Sequence, residues 1–439
     1  SYGVFDEARV FSSGPLSGPI SFNNVRLGLM ICEDMWEQEV AENLQETGAE
    51  IFIVINGSPF EVDKPDQRLN LAVARIKECG IPLAYVNQVG GQDELVFDGG
   101  SFVINKDCNL RIQFKTWESQ VVHTKWRERE DGWDCSKGTL ETSYTSDQKE
   151  LEHIYKAMVL GLRDYTRKNN FPGIILGLSG GIDSALSATI AVDAVGPKLV
   201  HCVMMPSPFT SDESTEDARA LSENLQLKYT SIPINNGISV FDSMLKNSFI
   251  DISKDTTEEN IQARIRGILI MALSNKFGYL PLTTGNKSEM SVGYSTLYGD
   301  MCGGYSVLKD AYKTTVFSLA NWRNTFLPAD VCGTSKQPIP ERIITKKPSA
   351  ELRANQFDED TLPPYEMLDP ILKNLIEGEK NLEDLIEAGY KQEIIQRIWQ
   401  MLDTAEYKRR QAPPGVKLSS RAFGRDRRYP ITNKFAKYL

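Results

Sequence analysis

The residues whose types and spacing suit chemistry fall in two places along this chain. The first is the run Gly177-Leu178-Ser179-Gly180-Gly181-Ile182-Asp183-Ser184, set directly behind the apolar stretch Gly173-Ile174-Ile175-Leu176. Glycines in a strand-to-helix turn let backbone amides approach an anion, and a helix predicted over 185–191 points its positive end at the same place. Ser179 and Ser184 add hydroxyl donors, and Asp183 adds a carboxylate. A carboxylate inside a phosphate cradle is repelled unless a cation sits between the two, so Asp183 is predicted to be a Mg2+ ligand. No Lys follows the glycines, which sets the loop apart from GxxxxGK[ST]; the bland alternative is a Gly-rich turn with Asp183 as helix cap. The second place is Cys32, behind the strand predicted over 27–31 and ahead of Glu33-Asp34-Met35-Trp36, where a helix begins. A thiol at a strand tip near a helix N-terminus has its thiolate stabilised, as a nucleophile requires; a small buried cysteine is the competing reading.

Two further stretches bear on these. Leu280-Pro281-Leu282-Thr283-Thr284-Gly285-Asn286-Lys287-Ser288-Glu289 ends a strand in a polar turn, and Glu289 is the candidate second carboxylate for the metal, or else a helix-cap acid. Asn260 and Arg264 lie one helical turn apart in Asn260-Ile261-Gln262-Ala263-Arg264-Ile265-Arg266, with Arg266 directed elsewhere.

The elements that must position these residues are α/β. Strands are predicted over 25–31, 51–56 and 83–87, with helices over 37–47 and 67–79, giving an α/β layer across residues 1–115. Residues 116–145 lose periodicity and mix charges with Trp117, Trp126 and Trp133, which predicts a linker packed on a neighbour. A second α/β domain is expected over 146–439, entered by an amphipathic helix carrying Leu151, Ile154, Tyr155, Met158 and Leu162.

Composition narrows the function classes. At 439 residues the chain implies two or three domains. A net charge of -10, from 49 basic and 59 acidic residues, argues against nucleic acid as the main partner. No apolar run approaches the roughly 18 residues that span a bilayer, so no membrane partner is expected. The 7 cysteines are scattered without CxxC pairs, which supports neither a disulfide framework nor a zinc site and points to a reducing cytoplasm. The chain opens on Ser1-Tyr2-Gly3-Val4-Phe5 without Met or signal-peptide pattern, and is expected to begin inside a domain. The tail is locally basic (Lys408, Arg409, Arg410, Lys417, Arg421, Arg425, Arg427, Arg428), which calls for an anion or an acidic neighbour.

These stretches resemble known families. SGGxDS resembles the pyrophosphate loop of the N-type ATP pyrophosphatases, with Gly177 through Ser184 as its ATP-binding residues. LGLMICEDMW, with YGVFDEARVF, NGSPF and VNQVGG around it, resembles the nitrilase-family amidase domain of glutamine-dependent NAD+ synthetases. That resemblance makes Cys32 the nucleophile of a Glu-Lys-Cys triad whose Glu and Lys would fall before Ser1, and makes Tyr2, Ser58 and Lys64 glutamine-binding. TTGNKSE with GYSTLYGD resembles the synthetase signature and places Thr284 on ATP; Lys313 and Ser349 (in KKPSAEL) fall at further ATP positions. By the same resemblance Asn260, Arg264, Glu289 and Lys408 bind deamido-NAD+, and Asp183 and Glu289 bind Mg2+.

The fold implied is an incomplete nitrilase-like α-β-β-α sandwich followed by a Rossmann-like parallel-sheet ATP pyrophosphatase domain. The implied reaction is ATP-dependent amidation of deamido-NAD+ through an adenylate, with glutamine or ammonia as nitrogen source, ATP as co-substrate, Mg2+ as cofactor and a homo-oligomer built on a synthetase-domain dimer. Two readings compete with it. One is another ATP pyrophosphatase amidotransferase, acting on a purine nucleotide or tRNA base; the other is a non-catalytic nucleotide-binding scaffold.

Overall fold

Alternating apolar and amphipathic segments produce two separate α/β units in the computed structural model, which describes residues 9–62, 64–138 and 147–432. The units are Ser1–Ala157 and Met158–Leu439, and the boundary falls inside a long helix.

The first unit is built on a six-stranded sheet. Its strands are β1 (Ile20–Phe22), β2 (Val25–Ile31), β3 (Ile51–Asn56), β4 (Leu83–Asn87), β7 (Phe102–Ile104) and β8 (Leu110–Gln113), in the order β1-β2-β3-β4-β7-β8. Strands β2, β3 and β4 pair in parallel and the outer ones antiparallel. Helices α1 (Gln38–Glu46) and α2 (Lys64–Cys79) contribute Ala41, Leu44, Ala72 and Ile76 to a core shared with Met30, Phe52, Val54 and Tyr85. A hairpin of β5 (Val89–Gln92) and β6 (Leu95–Asp98) carries buried Phe97 and Asp98.

The segment read as a linker contains a second hairpin, β9 (Trp126–Arg129) with β10 (Gly132–Cys135). Asn105 fixes it: its Oδ1 accepts from Cys135 N at 2.9 Å and its Nδ2 donates to Cys135 O at 3.2 Å.

The second unit begins with α3 (Asp147–Lys168), whose N-terminal half belongs to the first. Its sheet runs β13 (Lys228–Ser231), β12 (Val200–Met204), β11 (Ile174–Gly177), β14 (Leu280–Thr283), β15 (Tyr305–Ser306), all parallel. Strand order reverses between β11 and β14, and in doubly wound sheets the crevice past the carboxyl ends of those two strands is where ligands bind. The phosphate-loop candidate follows β11 and the TTGNKSE turn follows β14, so sheet topology alone brings the two motifs together.

Around the sheet lie α4 (Ile182–Val195), α5 (Asp212–Leu225), α6 (Asn235–Leu245), α7 (Thr256–Phe277), α8 (Lys287–Val292) and α9 (Lys313–Thr325). Helix α4 is buried along nearly its whole length, as its apolar composition demands. Short α10 (Glu341–Thr345) precedes a helical subdomain of α11 (Tyr365–Ile376), α12 (Leu382–Glu387), α13 (Gln392–Thr404) and α14 (Glu406–Arg409), which packs Leu368, Ile371, Leu372, Ile395 and Ile398 against Met290 and Val292 of α8.

Candidate active sites

In the second unit the glycine loop takes its shape from a few contacts. Leu178 N donates to Val203 O at 2.9 Å, which pins the loop to β12. Gly180 sits at φ +78, and a Cβ there would lie 2.3 Å from Ser214 O at the start of α5, so the chain tolerates only glycine. The hydroxyls of Ser179 and Ser184 are 3.1 Å apart. The first bond within α4 runs from Ala185 N to Gly181 O at 3.0 Å, leaving the earlier amides of Ile182, Asp183 and Ser184 for the cavity those residues line.

That cavity, of about 280 Å3, is lined by the loop (Gly177, Leu178, Ser179, Gly181, Ile182, Asp183, Ser184), by Thr284, Glu289, Lys313 and Ser349, and by Asp300, Glu351 and Asp358. All the ATP and metal candidates except Gly180 therefore converge on one space. Lys313, at the start of α9, bridges the two carboxylates, with Nζ 2.5 Å from Asp183 Oδ2 and 3.0 Å from Glu289 Oε1. Asn286 orients both partners: its Nδ2 donates to Asp183 Oδ1 at 2.8 Å, and its Oδ1 caps α8 by accepting from Glu289 N at 3.0 Å. Removal from water pushes the Glu289 carboxyl up to about 8 against the pull of Lys313, while the two carboxylates outweigh burial and hold the Lys313 ammonium above its ordinary value. Asp358 accepts from Tyr365 at 2.9 Å and is itself raised by burial. Burial likewise pushes Asp300 up to about 6.

The donor set suits Mg2+. Among the described residues no group of three or more His, Cys, Asp or Glu is arranged to hold an ion unaided. Asp183 and Glu289 would supply two hard carboxylate ligands, with phosphate oxygens and water as the others, the usual division for a magnesium nucleotide.

The dinucleotide candidates are grouped differently. Asn260 Oδ1 accepts from the Thr296 hydroxyl at 2.8 Å, Arg264 Nε donates to Leu297 O at 3.2 Å, and Lys408 Nζ donates to Gly293 O and Ser295 O at 2.7 and 2.6 Å. All three brace the turn over 293–297, whose Tyr294 and Ser295 line the cavity that these three residues do not. Arg266, read from the sequence as directed elsewhere, is the arginine of α7 that lines it.

The basic tail is largely engaged internally. Arg409 is buried on the Met290, Ser291 and Leu402 carbonyls with Glu406, Arg410 also pairs with Glu406, and Lys417 pairs with Asp426 at 2.7 Å.

In the first unit Cys32 directly follows β2 at φ +51, a conformation that costs a residue with a Cβ about 1–2 kcal/mol. The turn is held by Ile31 N donating to Asp34 Oδ2 at 2.8 Å and Trp36 N to Glu33 O at 2.8 Å, and the thiol is in no disulfide and partly exposed. Buried Tyr85 feels the Cys32 sulfur and hydrogen-bonds Ser58; loss of water pushes its phenol up to about 12. The Ser58 hydroxyl accepts from Arg68 Nε at 3.1 Å, and Arg68 is paired with Asp98 at 2.8 Å, so Arg68 is the cation on Ser58. Lys64 opens α2, is buried, and pairs with Glu61 at 3.7 Å. Tyr2 lies outside the described residues.

A thiol on a strained strand-end turn and a nucleotide-sized cavity at a parallel-sheet switch point define an enzyme of two parts, a carbon-nitrogen hydrolase unit and an ATP-using synthetase unit. Residues 3–126 match the carbon-nitrogen hydrolase family and residues 154–412 the NAD synthase family. The glutamine-dependent NAD(+) synthetase of Rhodobacter capsulatus is 46% identical over 432 residues, 98% of this chain and 78% of the relative. The solved glutamine-dependent NAD+ synthetase of Acinetobacter baumannii, in complex with ADP, is 41% identical with a TM-score of 0.73, over 98% of this chain and 77% of that one. The Cytophaga hutchinsonii synthetase shares the fold at 20% identity, with a TM-score of 0.76 over 99% of this chain and 79% of its own. The chain belongs to the glutamine-dependent NAD+ synthetase family.

Proposed function

We propose that the chain amidates deamido-NAD+ to NAD+ at the expense of ATP, with glutamine-derived ammonia as the nitrogen source. The convergence of the glycine loop, Asp183, Glu289, Lys313 and Thr284 on one cavity at the β11/β14 switch point carries this reading. An oxygen of the nicotinate carboxylate attacks the α-phosphorus of ATP, the α–β bridging bond breaks, and pyrophosphate leaves toward the amides of the glycine loop. Ammonia then attacks the acyl carbon, loses a proton, and expels AMP with the carboxylate oxygen attached.

Asp183 and Glu289 would hold Mg2+, which neutralises the departing pyrophosphate. Lys313 supplies a fixed positive charge between them, and Ser179, Ser184, Thr284 and Ser349 supply hydroxyls. The turn braced by Asn260, Arg264 and Lys408 presents Tyr294 and Ser295 to the dinucleotide. On the first unit, Cys32 attacks the glutamine amide carbon, the C–N bond breaks to release ammonia, and water hydrolyses the resulting thioester to glutamate, with Ser58 and Lys64 among the groups that orient glutamine.

Self-association through α6 fits the surface. None of its residues is buried, Val240 and Met244 are exposed by 56% and 70%, and Ile250 and Ile252 are exposed just beyond its end. None of the 7 cysteines is joined in a disulfide, which fits a reducing cytoplasm. The test is product analysis with ammonium as donor: AMP and pyrophosphate should form only when deamido-NAD+ is present, in equal amount with NAD+. AMP formation indifferent to deamido-NAD+ would refute the reading.

A further inference from the structure

Arg266 carries a charge that the reaction as described does not use. Its neighbour Gly267 is pressed on the opposite strand of chain: a Cβ there would lie 2.8 Å from Tyr298 O and 3.1 Å from Gly299 O. This close approach of α7 sets Arg266 into the cavity wall beside Met205. Its Nε donates to Met205 O at 3.1 Å, and the Met205 side chain reaches to 3.3 Å from where a Cβ on Gly177 would stand. The guanidinium is therefore tethered next to the start of the phosphate loop. Among the described residues, neither terminal amino group of Arg266 makes a hydrogen bond or an ion pair. Removal from water pushes the guanidinium down to about 10, with Glu351 and Asp300 acting against that shift from further away. A partly desolvated guanidinium with its planar fork unpaired is costly, and an oxyanion is the ligand that removes the cost, because two parallel N–H donors match two anionic oxygens.

We propose that Arg266 is a substrate-binding residue whose terminal amino groups grip an oxyanion in the cavity, either the α-phosphate of ATP or the carboxylate of the dinucleotide. The assignment rests on the reading of this cavity as the amidation site. Both oxyanions must meet there for adenylation, so one fork beside the phosphate loop serves the step that joins them. Sequence periodicity separates Arg266 from the Asn260–Arg264 face; only the fold shows that its own face is the one turned to the cavity.

The test uses the full chain with ammonium as donor and the variants Arg266→Gln, Arg266→Lys and Arg266→Ala. KM and kcat are measured for each substrate, alongside calorimetric binding of deamido-NAD+ and of a non-hydrolysable ATP analogue with Mg2+. The Gln and Lys variants should lose about tenfold or more in kcat/KM for at least one substrate, because charge alone does not replace the fork. Weaker analogue binding assigns the α-phosphate; weaker deamido-NAD+ binding with ATP unchanged assigns the carboxylate. Millimolar guanidinium should partly restore the Ala variant where equal sodium chloride does not, an effect a purely structural tie to Met205 would not show. Unaltered kcat/KM for both substrates in Arg266→Gln overturns the proposal. Should Arg266→Gln fold poorly, wild-type kinetics in Arg266→Lys overturns it equally. A wild-type chain that forms no AMP would contradict the proposed function instead, and the two binding measurements would still decide the role of Arg266.

Discussion

Lys313 Nζ lies 2.5 Å from Asp183 Oδ2, and ten residues further along the same two helices Arg323 Nε lies 2.7 Å from Asp193 Oδ2. Helices α4 and α9 are thus locked together at both ends. The Arg323–Asp193 pair is fully buried, whereas the Lys313–Asp183 pair opens on the cavity. The inner pair sets the spacing of the helices, and the outer pair presents charge to the cavity.

Asp183→Asn and Glu289→Gln should each lower AMP formation from ATP and deamido-NAD+ by about a hundredfold or more, since each removes a charge that balances Lys313 and that, on the proposed reading, holds the metal. Steady-state rates at saturating Mg2+ check this. Near-normal turnover in both variants would remove these residues from the metal site.

Arg323→Met alone should destabilise the second unit by about 3–5 kcal/mol, because it strands the Asp193 carboxylate in an apolar interior. Adding Asp193→Leu to it should recover most of that loss. Urea unfolding of both variants measures the difference, and a single variant within about 1 kcal/mol of wild type would show that the pair does not set the helix spacing.

Gly180→Ala should cut ATP affinity by about tenfold or more while leaving the rest of the chain folded. The methyl group would meet Ser214 O at 2.3 Å in a left-handed backbone, so loop or α5 must shift. Unchanged calorimetric affinity for the ATP analogue would mean that the loop is not the phosphate cradle.

Much of this arrangement was legible in the sequence, and the exceptions share a cause. The predicted strands 25–31, 51–56 and 83–87 match β2, β3 and β4, since parallel strands at a sheet centre are written as unbroken apolar runs. The hairpin β9–β10 was invisible because Trp126-Arg127-Glu128-Arg129 is charged and because its partner strand is pinned at Cys135 by Asn105, distant in sequence. The basic tail was read as needing an anion or an acidic neighbour, and the neighbours that answer several of its charges are Glu406 and Asp426. Asn286, the residue that orients both Asp183 and Glu289, stood inside a recognised motif, but its cross-chain bond to Asp183 follows only from the switch point of the sheet.

Stability of the first unit should fall as pH drops from about 6.5 toward 4. Trp117 Nε1 donates to His153 Nδ1 at 2.8 Å, which requires that nitrogen to be unprotonated, and burial, reinforced by Lys156 and Lys149, pushes His153 down to about 4. Between the two values the unfolded chain takes up a proton that the native state excludes. Stability is therefore fully present above the unfolded value and declines by up to roughly 3 kcal/mol on acidification. Urea midpoints at pH 7.5 and pH 5 by tryptophan fluorescence measure it, with His153→Gln expected to flatten the dependence; an equal slope in that variant would place its origin elsewhere.

On the proposed route the nicotinate carboxylate is activated by transfer of AMP in the cavity between β11 and β14. Deamido-NAD+ labelled with 18O in its carboxylate, turned over with ATP, Mg2+ and ammonium, tests it most directly by mass spectrometry of the products. Attack of a carboxylate oxygen on the α-phosphorus predicts one 18O atom in each AMP and none in pyrophosphate. Unlabelled AMP, or label recovered in inorganic phosphate with ADP as the nucleotide product, would contradict it.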